Sequence, residues 1–176
     1  MTESWLDLDW LTPVLAVGGR FDLALAARLA KVENIRAIVD MRLEACDDAD
    51  DLRRHGIAHL HLPTVDHHAV ARPMLATGVD FVHAWHARGE RVLIHCEHGI
   101  GRAPSLALCV LVAGGLSPIE ALTLVKDKRP IISPNRVQYE AWAEWLSALK
   151  AARSVAWEVP DFDGFARIAY RHLAAT

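Results

Sequence analysis

Val92-Leu93-Ile94-His95-Cys96-Glu97-His98-Gly99-Ile100-Gly101-Arg102-Ala103-Pro104-Ser105 is the stretch on which the fold turns. Its three leading apolar residues spell a short strand covered on both faces, as in the middle of a mainly parallel sheet. From about Ala103 to Ala113 the residues are apolar helix formers, so a buried helix follows directly. Between strand and helix stand a thiol, Gly99 and Gly101, and Arg102. The glycines let the backbone curl so that its N–H groups converge on one point, an anion nest. The helix beginning near Ala103 aims unpaired N–H groups and its positive dipole end at the same point. A thiol becomes a thiolate near neutral pH only beside such dipoles or positive charge. Arg102 adds a planar fork able to hold two oxygens of an anion at once. Cys96 is therefore read as a nucleophile, and Glu97, His98, Gly99, Ile100, Gly101 and Arg102 as a phosphate-binding loop.

Working outward, the same alternation of strand and helix recurs. Thr12 to Val17 reads as a first strand closed by Gly18-Gly19, and Phe21 to Val32 as a helix. Ile35 to Val39 is a buried strand that delivers Asp40 and Arg42 to its C-terminal end. Asp47 to Asp51 is an acidic helix start, Ile57 to Leu62 a strand, and Pro63 to Ala71 a loop. Pro73 to Arg88 is a helix with Leu75, Val79, Val82 and Trp85 on one face. Ser117-Pro118-Ile119-Glu120 is a capping box, and Ser133-Pro134 opens a further helix running to about Ala152, with Trp142, Trp145 and Leu149 turned inward. The expected fold is α/β: a central, mainly parallel sheet flanked by helices, with a helical C-terminal half. One domain spans residues 1–154. Residues 155–176, with Trp157, Phe162, Phe165, Ile168 and Tyr170, form a helical tail that docks on it or on a partner.

The 176 residues carry 52% hydrophobic and 23% charged side chains, which supports a packed core and excludes disorder. A net charge of -3 gives no pull towards nucleic acid or anionic membrane. Cys46, Cys96 and Cys109 are too few and too odd for a disulfide framework and suit a reducing compartment. The acidic N-terminus lacks the basic region of a signal peptide, and the apolar run from Leu106 to Leu116 is too short to span a bilayer. A cytoplasmic protein without stable membrane attachment is expected. The ten histidines include His59 and His61 on one strand face and His67-His68 in a loop. No metal-binding spacing accompanies them, so no metal or cofactor is expected. Oligomeric state is not encoded in any of these features.

His-Cys-x-x-Gly-x-x-Arg between an apolar strand and a helix resembles the signature loop of protein tyrosine and dual-specificity phosphatases. The resemblance runs from about Leu11 to Leu149. Within the family, Gly99-Ile100-Gly101-Arg102-Ala103-Pro104 looks most like the phosphatases of regenerating liver. The resemblance implies hydrolysis of phosphotyrosine, with serine and threonine esters as further candidates, through a phosphocysteine on Cys96 with Arg102 binding phosphate. It also implies a general acid about thirty residues upstream on a mobile loop; Asp66 stands there and serves as acid, then base. His95 is implied to shape the loop through a structural hydrogen bond, and Gln138, three residues after Asn135, to position water. Cys46 lies where the regenerating-liver subfamily keeps a second cysteine able to bond the nucleophile.

Most family members follow the Arg with Ser or Thr, whose hydroxyl helps the thiolate depart; here Ala103 stands instead and Ser105 lies two residues further on. Slow breakdown of the intermediate is expected. The same feature sustains a rival reading, a phosphate- or phosphoprotein-binding module with little turnover. Glu97 and His98 occupy positions where family members acting on polyanionic inositol lipids carry Lys. A phosphorylated protein is therefore the expected substrate, because Glu97 repels additional phosphates.

Overall fold

The computed structural model describes residues 5–173. The apolar run Val92–Ile94 forms the heart of β5 (Arg91–His95), the middle strand of a five-stranded sheet. β2 (Leu15–Gly18) and β3 (Ile35–Arg42) pair with β5 on either side, both parallel to it. β4 (Ala58–Thr64) extends the sheet parallel to β3, and β1 (Leu8–Trp10) closes the other edge antiparallel to β2. Because successive side chains point to opposite faces, Val92 and Ile94 join one core and Leu93 the other. The larger core lies under α3 (Arg72–His86), α4 (Arg102–Ala113), α5 (Pro118–Lys128), α6 (Arg136–Ala152) and α7 (Phe162–Ala169). The smaller is capped by α1 (Ala26–Lys31) and α2 (Ala49–Arg54). Covered on both faces, the inner strands need the apolar runs Leu15–Val17, Ala37–Val39 and Val92–Ile94 at their centres.

Local chemistry moves several expected boundaries. The Thr12 hydroxyl accepts from the amides of Val14 and Leu15 at 3.3 and 3.0 Å, so Thr12–Val14 turns and β2 begins only at Leu15. β1, too short for a periodic signal, was not foreseen. The expected helix from Phe21 starts as a 3-10 turn over Leu23–Leu25, because Asp22 caps Ala24 N at 2.9 Å, and becomes α-helical at Ala26. β3 continues past Val39 to Arg42, with Asp40 and Arg42 buried at its end, and β4 runs on through Thr64. Ser133 does not cap α6. Its amide donates to Ile100 O at 3.0 Å, and Asn135 forms the capping box with Gln138 instead. Among the described residues the tail forms α7, capped by Asp161, on which Phe165 and Ala169 are fully buried against α5 and α6.

Candidate active site

β5 ends at His95 and α4 begins at Arg102, so the six residues from Cys96 to Gly101 must reverse direction at the sheet's C-terminal edge. Gly99 makes that possible with φ of 64°; a Cβ there would sit 2.6 Å from the Gly18 backbone and from Arg129 Nη2. Cys96 is 3% exposed, and its Sγ accepts from Gly99 N at 3.3 Å. Arg129, at the C-terminal end of α5, donates through Nε to Gly99 O at 2.8 Å and through Nη2 to His98 O at 2.9 Å. In a trans peptide the N–H points opposite to the preceding C=O. Holding the His98 and Gly99 carbonyls outward therefore turns the Gly99 and Ile100 N–H groups towards Cys96. Asp7 and Asp9 near the first strand grip the rest of the Arg129 fork at 2.9 and 2.8 Å.

Arg102 is 1% exposed. Glu44 clamps its fork, Nη1 to Oε2 at 2.8 Å and Nη2 to Oε1 at 2.7 Å. Nη1 also donates to Thr64 O at 2.8 Å, and Nη2 lies 3.2 Å from Asp66 Oδ1. A guanidinium has five N–H donors; three are committed to Glu44 and Thr64, Nη2 also pairs with Asp66 by charge, and the donor on Nε has no hydrogen-bond partner among the described residues. The bidentate bond to Arg102 pulls the Glu44 carboxyl down to about 2, although Glu44 is partly exposed. Burial alone would weaken the Arg102 proton affinity, but the bond to Glu44 and the charges of Cys96 and Asp66 raise it overall.

Beneath the loop lies a buried ionic network. Asp40 accepts from Arg42 N, Nε and Nη2 and from Asp47 N, between 2.9 and 3.1 Å. Asp47 in turn receives Arg42 Nη2 and His95 Nε2, each at 2.7 Å. Burial pushes the Asp40 carboxyl up, yet the Arg42 bonds and the neighbouring His95 bring it below its ordinary value. His95 is fully buried, and the Phe21 ring meets its imidazole edge-on at 5.1 Å. Arg42 also reaches Glu97 at 3.8 Å, and Arg20 reaches it at 3.2 Å. Glu97 is thus neutralised from two sides, which weakens the repulsion of further phosphates expected from the sequence.

Asp66, His67, Cys96, His98, Ile100, Gly101, Ser133, Asn135 and Gln138 line one cleft of about 130 Å³. Asp66 sits in a turn where His67 adopts φ of 61° and donates its amide to Asp66 Oδ1 at 3.0 Å. Asn135 Nδ2 holds His67 O at 2.7 Å, and Gln138 Nε2 holds His68 O at 3.2 Å. Gln138 Oε1 accepts from Asn135 N at 2.9 Å, so both ends of its amide are engaged. Ser105 back-bonds to Gly101 O at 2.8 Å and does not line the cleft. Cys46 is exposed and donates to Asp47 O; burial and the Asp40 and Asp47 charges raise its thiol proton affinity. Cys109 is core, as read.

Among the histidines, His61, His83 and His86 each bond a backbone carbonyl. His59 approaches Asp40 and Cys46 with ligand atoms within 4.8 Å of one another, but the Asp40 oxygens are already taken by Arg42 and Asp47. Glu44, Arg129 and Asn135 went unread in the sequence. The Asn-x-x-Gln box was the available signal for Asn135; the other two come from distant segments and announce nothing locally.

Known proteins resemble this chain over most of its length. Mouse (Mus musculus) phosphatidylglycerophosphatase and protein-tyrosine phosphatase 1 is 29% identical over 136 residues, 72% of this chain and 69% of that protein. The human (Homo sapiens) dual specificity protein phosphatase 5 is 33% identical over 82 residues, 44% of this chain and 21% of that protein. The crystal structure of PTPMT1 in complex with PI(5)P superposes with a TM-score of 0.76 at 25% identity, covering 81% of this chain and 96% of that one. Tk-PTP in the active form gives 0.73 at 25%, covering 84% and 99%. These relatives are of the PTPMT1 and dual-specificity kinds, and they do not single out the regenerating-liver phosphatases that the loop Gly99–Pro104 resembles. The family "dual specificity phosphatase, catalytic domain" matches residues 21–147, and the chain belongs to that family of cysteine-based phosphoric monoester hydrolases.

Proposed function

We propose that the protein hydrolyses phosphotyrosine, and to a lesser degree phosphoserine and phosphothreonine, in phosphorylated proteins through a phosphocysteine on Cys96. The observation that carries this reading is the state of Arg102: three donors fixed by Glu44 and Thr64, an ion pair from Nη2 to Asp66, and a buried Nε without a partner among the described residues. A phosphate in the cleft takes that Nε–H and the inward N–H groups, and it displaces Asp66 from Nη2. The Cys96 thiolate attacks phosphorus, forming S–P as P–O breaks, and the leaving oxygen takes the Asp66 proton. Asp66, now a carboxylate, removes a proton from water, which attacks phosphorus and releases Cys96 as thiolate. Cys96 must stay reduced for this, which favours a reducing, cytoplasmic setting.

Apart from the Arg102 fork that takes the first phosphate, no Lys or Arg stands among the residues lining the cleft, so a second phosphate finds no further counter-charge there, whereas a single aryl phosphate needs only Arg102. A second reading, a glycerophospholipid monoester, is favoured by one observation. Leu43 and Val65 expose aliphatic surface in a depression that shares its Asp66 wall with the cleft. The mouse relative is named a phosphatidylglycerophosphatase as well as a protein-tyrosine phosphatase. Phosphate release from phosphotyrosine and phosphothreonine peptides, phosphatidylglycerophosphate and an inositol polyphosphate, with Cys96→Ser as control, ranks these substrates. First place for phosphatidylglycerophosphate overturns the phosphoprotein reading. Full retention of release in Asp66→Asn overturns the acid assignment, and no release from any substrate leaves a binding module.

A further inference from the structure

The family match ends at residue 147, yet the chain beyond it is tied to the cleft. α7 is seated on α5 and α6 through Phe165, whose ring meets those of Tyr139, Trp142 and Tyr170 at centroid distances of 5.0, 5.9 and 6.0 Å. Just past its end, Tyr170 Oη donates to Pro134 O at 2.6 Å. Lys126 Nζ, buried on α5, donates to Ile132 O at 2.7 Å and meets His172 Nδ1 at 2.6 Å. Between those two carbonyls, Ser133 N donates to Ile100 O in the phosphate loop. The next residue, Asn135, holds His67 O, and Gln138 one turn on holds His68 O.

We infer that Tyr170, assisted by Lys126, is a positioning residue for the Asp66 proton donor, an inference that rests on the acid role proposed for Asp66. The turn carrying Asp66 is closed by short-range bonds only, among them His68 N to Val65 O at 3.1 Å and His68 Nδ1 to Asp66 O at 2.9 Å, which set its shape but not its place against the cleft. The side chain of His67 is 86% exposed and its backbone is in the left-handed region. Besides Arg102, which pairs with Asp66 itself, the bonds that seat the turn come from Asn135 and Gln138, and these are aimed by the Ile132–Pro134 segment. That segment bonds the phosphate loop through Ser133 N, and it is held on the helical side by Ile132 N to Arg129 O at 3.2 Å, Lys126 Nζ and Tyr170 Oη. Freeing Pro134 O lets the first turn of α6 shift, and the carboxyl moves relative to the leaving oxygen while Cys96 and Arg102 stay in place.

Leaving-group dependence separates this role from general stability. p-Nitrophenolate departs without a proton; phenolate needs one. Tyr170→Phe keeps the ring and removes the hydroxyl. Its kcat/KM for phenyl phosphate should fall roughly three- to ten-fold, and that for p-nitrophenyl phosphate less than about two-fold. Introduced into Asp66→Asn, the same change should leave the ratio of the two substrates unaltered. Lys126→Met frees Ile132 O and is the second arm should Tyr170→Phe fail to fold. A substrate ratio that Tyr170→Phe leaves unchanged while Asp66 is present, through no loss or an equal loss on both substrates, or a shift that persists on Asp66→Asn, overturns the inference. Asp66→Asn alone lacking any leaving-group effect overturns the acid assignment and the inference with it; an effect there without one at Tyr170 overturns the inference alone.

Discussion

Replacing Arg129 by Met tests whether the phosphate loop is held from outside. The substitution keeps much of the buried stem and removes every donor. Two ion pairs, to Asp7 and Asp9, disappear; both carboxylates are more than two-fifths exposed, so each pair contributes at most about 1 kcal/mol. The carbonyls of His98 and Gly99 matter more. Each loses a charge-assisted bond, worth about 1.5–3 kcal/mol, while removing the buried cation returns part of its desolvation cost. The net expected loss is about 2–4 kcal/mol of unfolding free energy, read from urea denaturation with unchanged slope. Freed carbonyls also let the Gly99 and Ile100 peptides rotate away from Cys96. Vanadate, an oxyanion that probes the cradle, should therefore bind about 10- to 100-fold more weakly, equivalent to about 1.4–2.7 kcal/mol. A double Asp7→Asn, Asp9→Asn variant is the control and should lose less than about 2 kcal/mol and little vanadate affinity. Arg129→Met with stability within about 1 kcal/mol and vanadate affinity within about two-fold would refute the reasoning.

Three further outcomes follow from the same geometry. Gly99→Ala adds a Cβ at φ of 64° against the Gly18 backbone and should destabilise by about 2–5 kcal/mol in urea melts; under about 1 kcal/mol would mean the loop relaxes freely. Glu44 has its carboxyl lowered to about 2, so its bond to Arg102 stabilises above the ordinary carboxylate range and is lost as pH falls towards 2. Wild type should thus exceed Glu44→Gln by about 1 kcal/mol near pH 6, after discounting for exposure, and the gap should narrow by about pH 3; a constant gap removes the charge-pair account. With Ala103 in place of a hydroxyl and Ser105 bonded to Gly101 O, stopped-flow should show a burst of leaving group, and Ala103→Ser should raise the steady rate roughly ten-fold; linear release from the first turnover contradicts this.

What could be read in the sequence was what neighbouring residues decide among themselves. Val92–Ile94, the two glycines and the start of α4 form one continuous segment, and its chemistry is legible because strand, turn and helix are each locally determined. Asp66 needed more than local reasoning, and it was found only through the spacing that the family resemblance supplies. Glu44 and Arg129 escaped both routes. Glu44 follows a strand in a run that reads as solvated, and Lys128-Arg129-Pro130 reads as an ordinary basic helix end; each acquires its role only when the fold brings it to a loop more than twenty-five residues away. The boundary errors share a cause of the opposite kind. Thr12 and Asn135 make side-chain bonds to nearby amides that overrule the apolar pattern and the Ser-Pro start signal.

The buried network of Asp40, Arg42, Asp47 and His95 requires a different explanation from stability. Removing such charges from water costs several kcal/mol per ion, and well-packed apolar residues often do as well or better. What apolar residues cannot do is fix direction. The Asp47 carboxylate sets the His95 ring, and His95 precedes Cys96 on the last residue of β5. Arg42 links that same Asp47 to Asp40 on β3 and to Glu97 in the loop itself. Asp40, Arg42 and Asp47 each bond at least two others and His95 bonds Asp47, so a shift of the loop at His95 strains a buried charged network. Arg129 restrains the same loop from the other side through its carbonyls, and Glu44 restrains Arg102. The cradle is thus held at three separate points before any phosphate arrives, and little reorganisation is left for the moment of reaction, the condition under which fixed N–H dipoles stabilise a developing charge most strongly.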